Sequence, residues 1–189
     1  MHVDTVVPAA GRSVRMNMFK PLLPFGESTV IETIVDNAIP FSKRVIVVVG
    51  FKADQIIKLK SWNKRVLFIR NDNYDLGMFS SIKAGVEKVN TKRFFVTLGD
   101  QPHISTQIYQ RLLEATDNNF IAPEYSGRLG HPVLLSEYVK RRILSADISS
   151  TLKDVLKSFK PVTVAVDDKG VLFDMDTQSD YKRLSKIVK

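Results

Sequence analysis

The stretch Pro8-Ala9-Ala10-Gly11-Arg12-Ser13-Val14-Arg15-Met16-Asn17-Met18-Phe19-Lys20-Pro21 has the composition of a polyanion site. Small residues directly after the apolar run Val3–Val7 allow backbone N–H groups to converge on a phosphate with no Cβ in the way. Arg12, Arg15 and Lys20 add the positive charge that a triphosphate requires. The spacing is not that of a GxxxxGK[ST] loop, because Lys20 lies nine residues after Gly11 and is followed by Pro21; nor is it GxGxxG. The plainer reading is a strand-to-helix turn with exposed basic residues.

Further stretches carry chemistry of the same kind. In Asn71-Asp-Asn-Tyr-Asp-Leu-Gly77-Met78-Phe-Ser80-Ser81, Gly77 permits close approach of a ligand, and Ser80 and Ser81 set hydroxyls beside the free N–H groups of a helix start. The alternative is an ordinary serine N-cap. Leu98-Gly99-Asp100-Gln101-Pro102 ends a strand on a carboxylate, which suits a hard cation that also takes phosphate oxygens and water. A lone Asp at such a place is otherwise a turn residue. Gly130-His131-Pro132 offers an imidazole that either meets a phosphate or braces its loop. In Asp174-Met175-Asp176 the two carboxylates share one face of an extended segment, and Thr177 with Asp180 has capping-box spacing. His2 and His103 have no motif around them and read as structural or surface residues.

The elements that must position these residues follow from hydrophobic periodicity. Val3–Val7, Arg44–Val49, Arg65–Ile69, Arg93–Leu98, Asn119–Ala122, Pro132–Leu135, Val162–Val166 and Gly170–Asp174 read as strands. Thr29–Ile39, Ala53–Lys60, Met78–Val89, Thr106–Thr116, Tyr138–Leu144, Leu152–Phe159 and Ser179–Val188 read as helices, the first with a Thr29/Glu32 capping box and a stop at Pro40. Strands and helices alternate, which predicts right-handed crossovers and a mostly parallel sheet covered on both faces, with Glu124–Pro132 as an excursion. Ligands of such sheets bind beyond the carboxyl ends of the strands, where the residues after Val7, Ile69 and Leu98 lie.

Composition narrows the class. With 189 residues the chain is expected to form a single domain, residues 1–189. It has no Cys, which excludes disulfides, cysteine zinc sites and a cysteine nucleophile, and only 3 His. Val45–Val49 is the longest apolar run, far short of the roughly 18–20 residues that span a bilayer, and the start MHVDTVV lacks a signal-peptide pattern. The expectation is a cytoplasmic protein without a membrane partner. Subtracting 20 acidic from 28 basic residues leaves +8, which favours an anionic partner. The charge is dispersed, as in Lys43-Arg44, Lys140-Arg141-Arg142 and Lys182-Arg183, and reads as a solvated surface ahead of a nucleic-acid groove.

Ala9-Ala10-Gly11-x-Ser13-x-Arg15-Met16 followed by Lys20-Pro21-Leu22-Leu23 resembles the signature loop of the molybdenum-cofactor type of nucleotidyltransferase, a MobA-like family. The segment around Gly77-Met78 and Ser81, the Asp100-Gln101-Pro102 triplet, Gly130-His131-Pro132 and Asp174-Met175-Asp176-Thr177 resemble further motifs of that family, and the likeness runs from about Val3 to Tyr181. It implies a three-layer Rossmann-like α/β fold of the nucleotide-diphospho-sugar transferase type. It also implies Mg²⁺-dependent transfer of a nucleotidyl group to a phosphorylated small molecule, with molybdopterin or its molybdenum form as acceptor. Ala9, Ala10, Gly11, Arg12, Ser13, Asn71, Gly77, Met78, Ser80 and Ser81 are then nucleotide-binding. Arg15 and Lys20 face the phosphates, Asp100 with Asp176 or Asp174 holds the metal, and His131 lies on the acceptor side. Ala-Ala-Gly resembles the cytidylyltransferase branch, and so favours CTP; the guanylyltransferase branch carries Gly-Gly there.

Pro8 stands where the family has Leu, Asn17 where it has Gly, and Gln178 where it has Pro. Ser145–Thr151 lacks the glycines of the molybdopterin enzymes' Gly-Asp-x-Gly-Ala segment. A guanylyltransferase, an enzyme for a sugar or polyol phosphate, and a basic nucleic-acid-binding module are the competing readings.

Overall fold

The computed structural model describes residues 3–59 and 62–186. Its main sheet has the strand order β10-β7-β9-β6-β1-β4-β5, with β8 paired to β7 outside that path. The strands are β1 (Val3–Pro8), β4 (Ser42–Val49), β5 (Val66–Arg70), β6 (Arg93–Val96), β7 (Phe120–Tyr125), β8 (Arg128–Leu129), β9 (Val133–Ser136) and β10 (Val162–Ala165); β2 (Pro24–Phe25) and β3 (Ser28–Thr29) form a separate hairpin. β1 pairs in parallel with β4 and β6, β4 with β5, and β10 with β7, whereas β9 runs antiparallel to both β6 and β7. The sheet is therefore mostly parallel, as its alternating sequence predicts.

β1 is buried along its whole length, as a central strand between covered faces must be. Alternation sends Val7 and Val47 to one face with Ile31, Ile34 and Val35 of α1 (Val30–Ala38), and Val6, Ile46 and Val48 to the other with Ile82 and Val86 of α3 (Met78–Glu87). The Thr29/Glu32 capping box forms at the start of α1, so the N-terminal donors of that helix are met locally. Asp4, fully buried, is held by a bidentate pair to Arg44 and by the Asn90 N–H, which compensates the charge taken from water.

α3 lies unusually close to the sheet. A Cβ on Gly85 would sit 2.5 Å from Val6 Cγ1 and 2.8 Å from Val48 Cγ2. Gly85→Ala is expected to cost about 1–3 kcal/mol through overpacking, despite the better helix propensity of Ala. Urea denaturation checks this, and a variant as stable as the parent would show that α3 can lift off the sheet freely.

Several boundaries differ from the periodic reading. The excursion after Glu124 is a hairpin: Ser126 (φ 50°) and Gly127 (φ 76°) make a tight two-residue turn between β7 and β8. Gly170–Asp174 is not a strand. Lys169–Leu172 forms a 3-10 turn because Asp168 accepts from the Gly170 N–H, and the chain continues irregularly to Thr177. The helices α2 (Ala53–Ile57), α4 (Thr106–Glu114), α5 (Glu137–Ser145), α6 (Leu152–Leu156) and α7 (Gln178–Leu184) depart by a few residues from the expected limits. Lys60 and Val188, the expected ends of two helices, lie outside the described residues, as does His2.

Candidate active site

The loop after β1 is stitched to β4: Ala9 N–H donates to Val48 O (2.8 Å) and Phe51 N–H to Ala10 O (3.0 Å). Ser13 (φ 55°) and Asn17 (φ 51°) are both left-handed and bracket a 3-10 turn over Val14–Met16, whose Met16 is buried as an anchor. Asn17 thus takes the backbone region in which Asn is tolerated among non-glycine residues. A second 3-10 turn, Lys20–Leu22, begins where the Lys20 N–H donates to Ser13 Oγ (3.3 Å). The loop doubles back, so that Lys20 faces the end of β6.

Gly99 makes that meeting possible. A Cβ there would stand 2.5 Å from the Pro8 carbonyl oxygen, so only glycine lets the segment after β6 lie against the end of β1. The next residue, Asp100, then reaches Lys20. Lys20 Nζ donates to Asp100 Oδ2 at 3.0 Å and to Asp176 Oδ1 at 3.3 Å, and Arg15 Nη1 pairs with Asp176 Oδ2 at 2.7 Å. The Lys20 and Asp100 side chains are 11% and 16% exposed, against 75% for Arg15, so the inner pair is shielded and the outer cation is wet. Burial pushes the Asp100 carboxyl above the usual carboxylate range; Lys20 opposes that rise, while the charges of Asp174 and Asp176 add to it.

Around this network lies a pocket of about 300 Å³. Ala9, Ala10, Gly11, Ser13, Arg15, Lys20, Gly77, Met78, Ser81, Asp100 and Asp176 line it. The carboxyl ends of the strands and the loop after β1 thus bring together residues from four separate stretches of sequence. Tyr74, Gly99 and Val14 also line it and escaped the sequence reading. Tyr74 sits inside the Asn71–Ser81 motif, where its aromatic type was the one available signal.

Five predicted residues lie elsewhere. Arg12 turns away from the pocket: it pairs with Asp75 through Nε and Nη2 (2.9 and 2.8 Å) and stacks over the rings of Phe51 and Tyr74. Asn71 is buried and its amide donates to both Ser80 Oγ and Ser81 Oγ; Ser80 in turn donates to backbone carbonyls. Asn71 and Ser80 therefore shape the start of α3 from behind and leave Ser81 to face the pocket. Asp174 is exposed, accepts from Gln101 Nε2 (3.0 Å) and is not among the residues that line the pocket, although its charge still acts on Asp100. His131 N–H donates to Val171 O, and burial lowers its imidazole below the ordinary histidine value, with the Val96 backbone and Asp100 opposing. It is not among the residues that line the pocket. His103 is structural: its Nε2 meets Gly170 O at 2.9 Å.

The donor set suits a cation that arrives with its ligand. Asp100 Oδ1 is buried with no hydrogen-bond partner, and the other oxygen of Asp100 shares the Lys20 ammonium with Asp176. Among the described residues no group of three or more His, Cys, Asp or Glu could hold a metal ion. One or two carboxylates completed by phosphates and water are what Mg²⁺ ordinarily uses.

The MobA-like NTP transferase domain family matches residues 5–164. The chain is 27% identical over 179 residues to the molybdenum cofactor cytidylyltransferase of Escherichia coli K12, covering 95% of this chain and 93% of the relative. It is 22% identical over 197 residues to a probable molybdenum cofactor guanylyltransferase of Carboxydothermus hydrogenoformans, covering 98% and 96%. Among solved structures it is similar to Rv0371c of Mycobacterium tuberculosis H37Rv in complex with manganese, with a TM-score of 0.80, 25% identity and coverage of 98% and 99%.

Proposed function

We propose that this chain, which belongs to the MobA-like NTP transferase family, moves a cytidylyl group from CTP to a phosphorylated acceptor with release of pyrophosphate, molybdopterin or its molybdenum form being the acceptor. In this reading residues 1–189 work as one nucleotidyltransferase domain in the cytoplasm. No helix among the described residues is long and apolar enough to cross a membrane. The observation that carries the reading is the shielded Lys20 bridge to Asp100 and Asp176, floored by the small residues after β1.

A phosphate oxygen of the acceptor attacks the α-phosphorus in line, the bond to the bridging oxygen breaks, and pyrophosphate leaves. The attacking phosphate is already ionised at neutral pH, so no side-chain nucleophile or base is required. The protein's work is positioning and charge neutralisation. Backbone N–H groups of Gly11–Ser13 and the Ser81 hydroxyl orient the nucleotide. Arg15 and Lys20 turn from the carboxylates to the phosphates. Asp100 and Asp176 would hold Mg²⁺, which when bound offsets triphosphate charge as a Lewis acid. That the similar mycobacterial structure is a complex with manganese supports the use of a divalent ion.

The base assignment rests on Ala10, a buried residue of the pocket lining. Ala10→Gly is expected to relax discrimination against GTP by no more than roughly 10–200-fold, the worth of one methyl group in a pocket. A thermal-shift series with CTP, GTP, ATP and UTP in the presence of Mg²⁺ tests the parent reading. CTP should raise Tm most. A parent protein that prefers GTP would move the assignment to the guanylyl branch, the second reading that the Carboxydothermus relative supports. Turnover of a sugar or polyol phosphate, with none of the pterin, would instead replace the acceptor.

A further inference from the structure

A second concavity, a groove of about 920 Å³, lies at the amino ends of β1 and β6, the opposite end of the sheet from the nucleotide pocket. Arg93, the first residue of β6, lines it. The Arg93 side chain is 10% exposed, and its ion pair is to Asp117, 3.3 Å from Nη1, whose own side chain is 81% exposed. Nε and Nη2 of Arg93 are buried with no hydrogen-bond partner.

These two nitrogens form the edge of a guanidinium that grips an oxyanion bidentately. Arg44 and Arg12 use this same edge in this protein, the first on Asp4 and the second on Asp75. On Arg93 the edge faces no acceptor. A guanidinium cannot discharge itself by losing a proton, and native structures rarely leave buried charged donors without partners. The surroundings are rich in donors. Asn118 Oδ1 is taken by the Phe120 N–H and Asn119 Oδ1 by the Ser136 hydroxyl, which leaves both amide NH₂ groups to donate; Lys92 adds a cation. Glu137, the other carboxylate in the groove, is engaged by Arg141.

We propose that this groove is a second ligand site, which takes a small molecule bearing a carboxylate or phosphate on the Nε/Nη2 edge of Arg93. Lys92 and the amides of Asn118 and Asn119 hold the remaining oxygens. Asp117 sits on the third nitrogen, Nη1, outside that edge, and its charge opposes an incoming anion. Asp100 lies seven residues after Arg93, on the order of 20 Å along the strand direction, so the two sites do not compete for one ligand. The inference is independent of the proposed transferase reaction.

The test is a titration of ¹⁵N-labelled full-length protein with inorganic phosphate and, separately, citrate, following the Arg93 Nε–H and the Asn118 and Asn119 side-chain amides by NMR. A saturable shift of these signals is expected with at least one of the two anions, and the responding anion identifies the ligand class. Affinity should fall at least ten-fold in Arg93→Met and rise about three-fold or more in Asp117→Asn. Shifts confined to residues around Lys20, shifts unchanged in Arg93→Met, or no response to either anion would overturn the site. Should Arg93→Met fail to fold, Asp117→Asn and Asn118→Ala decide: unchanged affinity in both rejects it.

Discussion

Asp100→Asn is expected to remove metal-dependent nucleotidyl transfer, by roughly 10³-fold or more in kcat/KM, with the fold intact. The substitution keeps the size of the side chain and one oxygen. It takes away the negative charge that a hard cation requires, at a position where Oδ1 is buried and without a protein partner. Lys20 loses its shorter contact but keeps Asp176 at 3.3 Å, so the loop after β1 should hold its shape. Pyrophosphate release against Mg²⁺ or Mn²⁺ concentration, with circular dichroism as the control for folding, measures this. Asp176→Asn should do the same more weakly, since its carboxylate is more exposed and an amide oxygen can still coordinate. Asp174→Asn should leave the metal titration where it was, because that residue faces solvent and Gln101. Asp180→Asn, which weakens the capping box at the start of α7, should cost about 0.5–2 kcal/mol of stability and little activity. If Asp100→Asn and Asp180→Asn gave equal activity and the same metal titration, the metal site would have to be sought elsewhere.

Lys20→Ala is expected to lower the rate roughly 10²–10³-fold, the usual loss when one preorganised electrostatic donor leaves a shielded site. A second effect runs the opposite way. The Lys20 ammonium lies between the carboxylates that would receive the divalent ion, 3.0 Å from one and 3.3 Å from the other. Two cations cannot share that position, so metal entry and release of Lys20 are coupled. The triphosphate offers Lys20 a new anion as it leaves. Free Mn²⁺ should therefore bind the unliganded parent weakly and bind Lys20→Ala at least several-fold more tightly, as read by electron paramagnetic resonance without nucleotide. Nucleotide should raise Mn²⁺ affinity strongly in the parent and much less in the variant. Near-normal turnover would show that the loop does not face the phosphates. Unchanged Mn²⁺ binding would show that the carboxylates accept metal without moving Lys20.

Local chemistry alone determined much of this protein. The β-branched run Val45–Val49 reads as a buried strand from its residue types, although its backbone partners are the distant strands β1 and β5, and Thr29 with Glu32 marks a helix start because the capping box satisfies backbone donors within three residues. The loop residues Ala9–Lys20 and the strand-end carboxylate Asp100 were legible because small residues and charges after apolar strands have few other uses. Tertiary contacts decided the rest. Asp174 and Asp176 are indistinguishable by type and spacing. The Met175 N–H between them donates to the Asp100 carbonyl, and the side chains packed around that contact send Asp174 to Gln101 and Asp176 to Lys20. Arg12 reads as a phosphate ligand from its neighbours, yet two aromatic rings and Asp75, more than sixty residues away in the chain, hold it off the pocket. The unpaired edge of Arg93 is invisible in any local pattern, since Arg at a strand start is ordinary. Only packing shows which of its donors are closed off from water and what failed to meet them, because desolvation and long-range pairing depend on neighbours that the chain brings together last.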